Sequence, residues 1–163
     1  MSTFSSDIVY FDMKRNQQFW TPDDQQTIVA AQSFVELSHV ALAVLGRMPQ
    51  PAGQVCGPIS TGGLGSIKKN LAVFDATIDR LIAEGRTIFD QMPFEEHFFR
   101  IINSAWATRH NNQLLEDFYR PIFESRQVST LYFIPGWESS KGATWEHELG
   151  QQLGMSVVYL TKQ

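Results

Sequence analysis

The stretch "VSTLYFIPGWESSKGATWEHELG", Val128 to Gly150, decides how the rest of the chain is read. Its first part, Val128 to Ile134, is an unbroken run rich in β-branched and aromatic residues, the pattern of a strand buried on both faces. Pro135 and Gly136 stop that strand. Ser140 then stands where a helix would be capped, and a helix from about 142 to 154 is expected to follow. A buried strand that turns at once into a helix is the repeating unit of a parallel α/β sheet.

Working outward, "MSVVYL" after this helix supplies one more strand. Upstream, the short apolar "QVC" leads into the loop "GPISTGGLGS", and Ile67, Leu71, Phe74, Ile78, Leu81 and Ile82 keep a helical period as far as Gly85. "RTIFDQM" then reads as a second strand. Residues 93 to 126 read as helix in two pieces, parted near "RHNNQ", with Pro121 kinking or restarting the second piece. Residues 1 to 20 have no clear period and form an irregular arm. Thr21 is a good N-cap, Pro22 suits the first helical position, and Asp23 and Asp24 suit the positive end of a helix. Ile28, Ala31, Val35, Leu42 and Leu45 share a face until Gly46 and Pro49, which predicts a single amphipathic helix over about 22 to 45.

The succession predicts a three-layer α/β/α fold with a mostly parallel sheet of four to five strands and an N-terminal helical extension. Residues 51–163 form the α/β domain, and 1–50 form an arm and helix packed on it. Its 163 residues suit one domain with a proper core. A formal net charge of -4 and the lack of any Lys/Arg run argue against a nucleic-acid polymer as partner. Cys56 is the only cysteine, so no internal disulfide can form. The N-terminus has neither the basic start nor the apolar core of a signal peptide, and no apolar run approaches the ~20 residues of a membrane span. A cytoplasmic protein is expected. His39, His97, His110 and His147 lack metal-ligand spacing, so neither a metal nor a cofactor is expected.

If the strands are parallel, "GPISTGGLGS" and "GWESSKGA" lie at the same sheet edge, each opening a helix. Glycine lets backbone approach a ligand, and the free N–H groups of a helix start suit an anion. Flexible capped turns would have the same spelling, and neither the Walker pattern nor G-x-G-x-x-G is present. Asp90 and Gln91, at the end of the second strand, would either line this pocket or simply end the strand. Trp137 would stack a ring or plug the turn. Cys56, inside the first strand, reads as a buried structural thiol.

Glu146 falls one turn into the helix, on the same face as Ala143, Gly150 and Leu153, above a glycine that lets the helix lie close to the sheet. The helix dipole is expected to keep its carboxylate ionised, as a nucleophile requires. Spacing alone equally fits a solvated early-helix glutamate, the commoner use of the residue and the role expected of Glu148.

"CGPIS" after a first strand, a helix ending "EGRTIF", and above all "LYFIPGWESSKGATWEHELGQQLG" resemble the nucleoside 2-deoxyribosyltransferase-like superfamily, in particular its small bacterial and phage members. The resemblance runs in order over residues 54 to 160. It rests on a Pro-Gly-Trp turn, Ser-x-Gly-Ala, two residues and then Glu, here Pro135, Gly136, Trp137, Ser140, Gly142, Ala143 and Glu146. It implies a flavodoxin-like fold and cleavage or transfer of the N-glycosidic bond of a nucleoside or nucleoside 5′-monophosphate, in a homo-oligomer. Glu146 matches the family's nucleophilic carboxylate. Gly57, Pro58, Ser60, Gly62, Ser140 and Gly142 match the loops that hold the sugar or 5′-phosphate, with Asp90 and Trp137 nearby. Asp117 is the closest match to a family aspartate near the sugar or leaving base, on a segment about one turn longer than usual. Ser129 stands where relatives commonly carry Asp. The same pocket without turnover would make a nucleotide-binding regulatory module, and the same carboxylate chemistry would serve the nicotinamide glycosidic bond of NAD.

Overall fold

The computed structural model describes residues 15–104 and 113–162. Most of the expected N-terminal arm, the helix break near "RHNNQ" and His110 lie outside the described residues. Three parallel strands, β1 (Ala52–Cys56), β2 (Val128–Phe133) and β3 (Ser156–Tyr159), form one sheet in the order β1-β2-β3. Among the described residues six α-helices surround it: α1 (Pro22–Ala30), α2 (Phe34–Arg47), α3 (Ile67–Ala83), α4 (Met92–Ile102), α5 (Arg120–Glu124) and α6 (Lys141–Gln152). A π-helical turn, Leu115–Tyr119, runs directly into α5, and Pro121 therefore sits inside a continuous helical run.

The sheet has three strands, not the four to five expected. The expected strand at "RTIFDQM" is reduced to a single bridge in which Ile88 pairs parallel with Gly53. Its backbone bonds, Gly53 N to Thr87 O and Phe89 N to Gly53 O, use the edge of β1 away from β2. The segment stops there because the Asp90 carboxylate accepts from Met92 N–H at 3.0 Å and Gln91 is already helical, so the chain enters α4 at once.

The single N-terminal helix is two. Ser33 caps α2 by accepting from Glu36 N–H, and the Glu36 carboxylate reaches back to Ser33 and Gln32, a Ser-x-x-Glu box readable in "SFVE". The break resets the helical phase. Phe34, Leu37, Ala41, Val44 and Leu45 are buried as a result, while Val35 faces solvent. The first helix begins as expected, with Thr21 and Asp24 forming a capping box and Pro22 at its first position.

The two sheet faces bury different material. On one, Leu71, Phe74, Ile78 and Leu81 of α3 pack against Val55, Tyr132 and Ile134. On the other, α2, α4, α5 and α6 converge on Cys56, Leu131 and Phe133, around a nest of rings that includes Phe94, Phe98, Phe118 and Tyr119. Each such ring gains about 2–3 kcal/mol from burial. Helices on both faces of a parallel sheet make this a three-layer α/β arrangement. Among the described residues no helix is long and apolar enough to cross a membrane.

Two close approaches set the spacing around the sheet. Gly53 sits where an added Cβ would lie 2.5 Å from the Tyr132 ring. Gly150, on α6, sits where a Cβ would lie 2.6 Å from Leu131 Cδ1 of β2, so the helix rests directly on the sheet, as its position below Glu146 suggested.

Candidate active site

The chain passes from β1 through α3 to one side of β1 and later returns to pair β2 on the other. A sheet that reverses direction in this way opens a crevice at the carboxyl ends of its strands. The two Gly-rich loops meet there. Gly63 N–H donates to Ser139 Oγ at 2.9 Å, and Lys141 N–H donates to Thr61 Oγ1 at 3.2 Å. Gly62 adopts φ +70°, and a Cβ on it would fall 2.4 Å from Ser139 O, so glycine is what allows the contact. Buried Asn70 fixes the first loop: its amide donates to Ile59 O and Gly62 O and accepts from Leu64 N–H. Gly57 and Pro58 are buried at its root, with Gly57 pressed against Ile134, whereas Ser60 and Gly62 are exposed.

Ser140 caps α6, its Oγ accepting from Ala143 N–H at 3.2 Å, and Gly142 follows in the first turn near Leu115. Two of the donors that could have cradled an anion, those of Lys141 and Ala143, are thus taken by the hydroxyls of Thr61 and Ser140.

Glu146 lies beneath this junction, 6% exposed, pressed between α6 and β1. Burial raises its carboxyl to about 7, although the Cys56 thiol and the Gln54 amide facing it favour the ionised form. The expected hold of the helix dipole is therefore outweighed by desolvation, and the group is poised near neutrality. The Gln54 amide approaches without good hydrogen-bond geometry. Gln54 Nε2 and Oε1 and Glu146 Oε2 have no protein partner.

Three further residues join this cluster from α4 and the π turn. Buried Gln91 donates to the Tyr119 hydroxyl at 3.4 Å and leaves its Oε1 without a partner. Glu95, 4% exposed, has an unpartnered Oε1, and burial together with the charge of Glu146 pushes it up to about 8. Burial and the Glu95 and Glu146 carboxyls raise the Tyr119 phenol too. Cys56 is fully buried and its thiol is pushed up by burial and by Glu146, which suits a donor to a carboxylate and not a nucleophile.

The remaining expected residues lie elsewhere. Asp90 is buried, but Arg15 donates to it at 3.0 Å and its other oxygen caps α4. Burial still raises its carboxyl against the pull of Arg15. Of the Asp90–Gln91 pair, it is Gln91 that enters the cluster. Asp117 is half-buried and held by the Gln113 amide one turn earlier, while Tyr119 is the residue of that segment that reaches Glu146 electrostatically. Trp137 stacks on His147, ring centroids 4.4 Å apart, and packs against Phe133 and Tyr159; His147 bonds the Tyr159 hydroxyl at 2.6 Å. That aromatic group borders a surface groove of about 400 Å³ shared with Pro135, Glu138 and Leu160, and Glu146 does not line it. Glu148 is exposed, as expected. Among the described residues no three His, Cys, Asp or Glu side chains gather to hold a metal.

Sequence reading missed Gln54, Glu95 and Tyr119 as members of the site. The available signal was Gln54, a polar residue in the middle of an otherwise apolar buried strand, since a buried amide demands partners.

Residues 54–159 match the family described as a domain of unknown function (DUF4406), and the chain belongs to that family. No curated protein and no solved structure matches it.

Proposed function

We propose that this DUF4406 chain cleaves or transfers the N-glycosidic bond of a nucleoside or nucleoside 5′-monophosphate, with Glu146 as the nucleophile. The observation that carries the reading is the state of Glu146: buried, unpartnered at Oε2, and poised near neutrality beneath the meeting point of the two loops. A carboxylate held this way is costly to a protein that has no use for it.

In the first step a Glu146 oxygen attacks the anomeric carbon, and the bond from that carbon to the base nitrogen breaks. The base leaves with the electron pair and takes up a proton. Water or a second base then attacks the same carbon and releases Glu146. The loops at Gly57–Gly62 and Ser140–Gly142 close over the sugar. The same reading takes the fold as flavodoxin-like and the protein as a cytoplasmic homo-oligomer that needs no cofactor.

Incubation with a panel of nucleosides and monophosphates, followed by chromatography for free base, tests this. Glu146→Gln, which keeps shape and removes the charge, is expected to lower base release by about 10³-fold or more while leaving the thermal transition intact. Wild-type turnover in that variant, or ligand binding without any base release by the native protein, overturns it.

A further inference from the structure

The reaction proposed above needs a proton. When the bond from the anomeric carbon to the base breaks, the base leaves with the electron pair, and a neutral base is a poor leaving group until one of its nitrogens is protonated. Glu146 is unsuited to supply that proton, because it must be ionised to attack. The base nitrogens lie within a ring's width of the attacked carbon, so the donor has to stand beside Glu146.

Among the described residues four carboxyls are buried: Asp24, Asp90, Glu95 and Glu146. Two of them have their own partners. Asp24 accepts from Thr21 N–H and pairs with Arg47, and Asp90 pairs with Arg15 and accepts from Met92 N–H. Glu95 pairs with no cation, and its Oε1 has no protein partner. It stands one turn after Gln91, so the two share a face of α4. That face reaches the cluster, since Gln91 donates to the Tyr119 hydroxyl and Tyr119 feels the charge of both Glu95 and Glu146.

The titratable groups that face Glu95 are Glu146 of α6 and the Tyr119 phenol of the π turn, with the Cys56 thiol of β1 against Glu146. On α4 itself, His97 is engaged by Arg100, and the buried residues of α2 and α5 include no titratable side chain. The two carboxyls are set apart in the order that acid and nucleophile require: burial and the charge of Glu146 push Glu95 up to about 8, while Glu146 stands at about 7. The Tyr119 phenol and the Cys56 thiol are both pushed well above their ordinary values by burial, and hold their protons too tightly to serve as the acid.

Resting on the glycosidic reading above, we propose that the buried Glu95 carboxyl, carried beside Glu146 on the Gln91 face of α4, is the catalytic acid that gives its proton to the departing base. In the first step the Glu95 O–H bond breaks and an N–H bond forms on the base as the electron pair arrives there, leaving Glu95 as a carboxylate. In the second step that carboxylate takes a proton from the attacking water, or from the N–H of a second base. The acid is thereby restored, and no proton is gained or lost by the protein over a turnover.

Guanosine and 7-methylguanosine, compared just below neutral pH, test the assignment. They differ by one methyl group, but the methylated base is already a cation and departs neutral without taking up a proton. Glu95→Gln keeps the shape and removes the acid; it is expected to slow release of guanine by about 10²-fold or more and release of 7-methylguanine by less than about fivefold. With guanosine, the native rate is expected to fall below about pH 7 as Glu146 gains a proton and above about pH 8 as Glu95 loses its own, and Glu95→Gln to lose the upper limb alone. Infrared spectra of the native protein need no variant, and serve even if Glu95→Gln fails to fold: a protonated-carboxyl band is expected at neutral pH and should fade as the pH passes about 8. Equal slowing of both nucleosides, unchanged release of guanine, no such band, or no base released from either compound overturns the inference. The glycosidic reading survives any of these results so long as a member of its panel is cleaved through Glu146. No base released from any compound of that panel overturns the glycosidic reading, and this inference with it.

Discussion

Asp90 stands just ahead of α4 and Glu95 stands in its first turn; both are buried, yet one is fully engaged and the other is not. Around Asp90, the Arg15 guanidinium spans Asp75, Asp79, Asp90 and the Asp75 carbonyl, and Met92 N–H takes the remaining Asp90 oxygen. Among the described residues no cation pairs with Glu95 or Glu146, and four residues there leave polar atoms unpartnered. The first arrangement ties the N-terminal segment and α3 to the sheet edge. The second does nothing for stability, and the proposed function is what gives it a use. Burial of a carboxylate is thus no sign of function by itself; what separates the two regions is whether the protein has supplied its own partners.

That contrast can be broken most sharply at Arg15. Replacing it with Met leaves Asp90 as an uncompensated buried charge, and a loss of about 3–5 kcal/mol in denaturant unfolding is expected, because removing one member of a buried pair strands the other. A loss below about 1 kcal/mol would show that Asp90 is not held as described. The other partners, Asp75 and Asp79, are partly exposed and can return to water.

The unpartnered pair is tested by pH. Glu146 at about 7 and Glu95 at about 8 both stand above the ordinary value of 4.5, so between these limits the folded chain binds protons that the unfolded chain has released. Stability therefore falls as pH rises from about 4.5 to about 8, each group contributing a slope of up to about 1.4 kcal/mol per pH unit. Unfolding curves across this range should show that decline, and Glu95→Gln should flatten it by about one group's share. A flat profile in the native protein would remove the distinction between the two regions.

The smallest effect belongs to a pair in neither region. Glu116 and Arg120 form an i,i+4 ion pair on the surface, and Glu116→Gln is expected to cost no more than about 0.5 kcal/mol by the same unfolding measurement. A larger loss would mean that charge on this surface matters as much as charge in the interior.

Much of this was legible in the residues. Strand-stopping Pro135 and Gly136, the Ser140 cap and the placement of Glu146 above Gly150 follow from local rules, and the structure has each of them. What escaped was decided by distant contacts. "RTIFDQM" has strand propensity, but the Asp90 cap turns it into helix after a single bridge. Glu95 and Glu96 are adjacent and spelled alike; only the packing of Phe94 and Phe98 into the ring nest decides that Glu95 turns inward. The split at Ser33 was written in the Ser-x-x-Glu spelling of a helix start and was readable. The two expected roles for Asp90 could not be separated locally either, since its partner Arg15 lies 75 positions away.

The contact between Gly150 and Leu131 works as a machined clearance. Helix α6 seats on β2 with no room for one more methyl, and Glu146 rides one turn away on the same rigid rod. The reach of the carboxylate is therefore gauged by the thickness of an apolar layer that touches nothing polar. Sequence drift at Leu131 would move the carboxylate without altering any other residue of the cluster, and under the proposed function a displacement of about 1 Å would cost on the order of 10²-fold in rate.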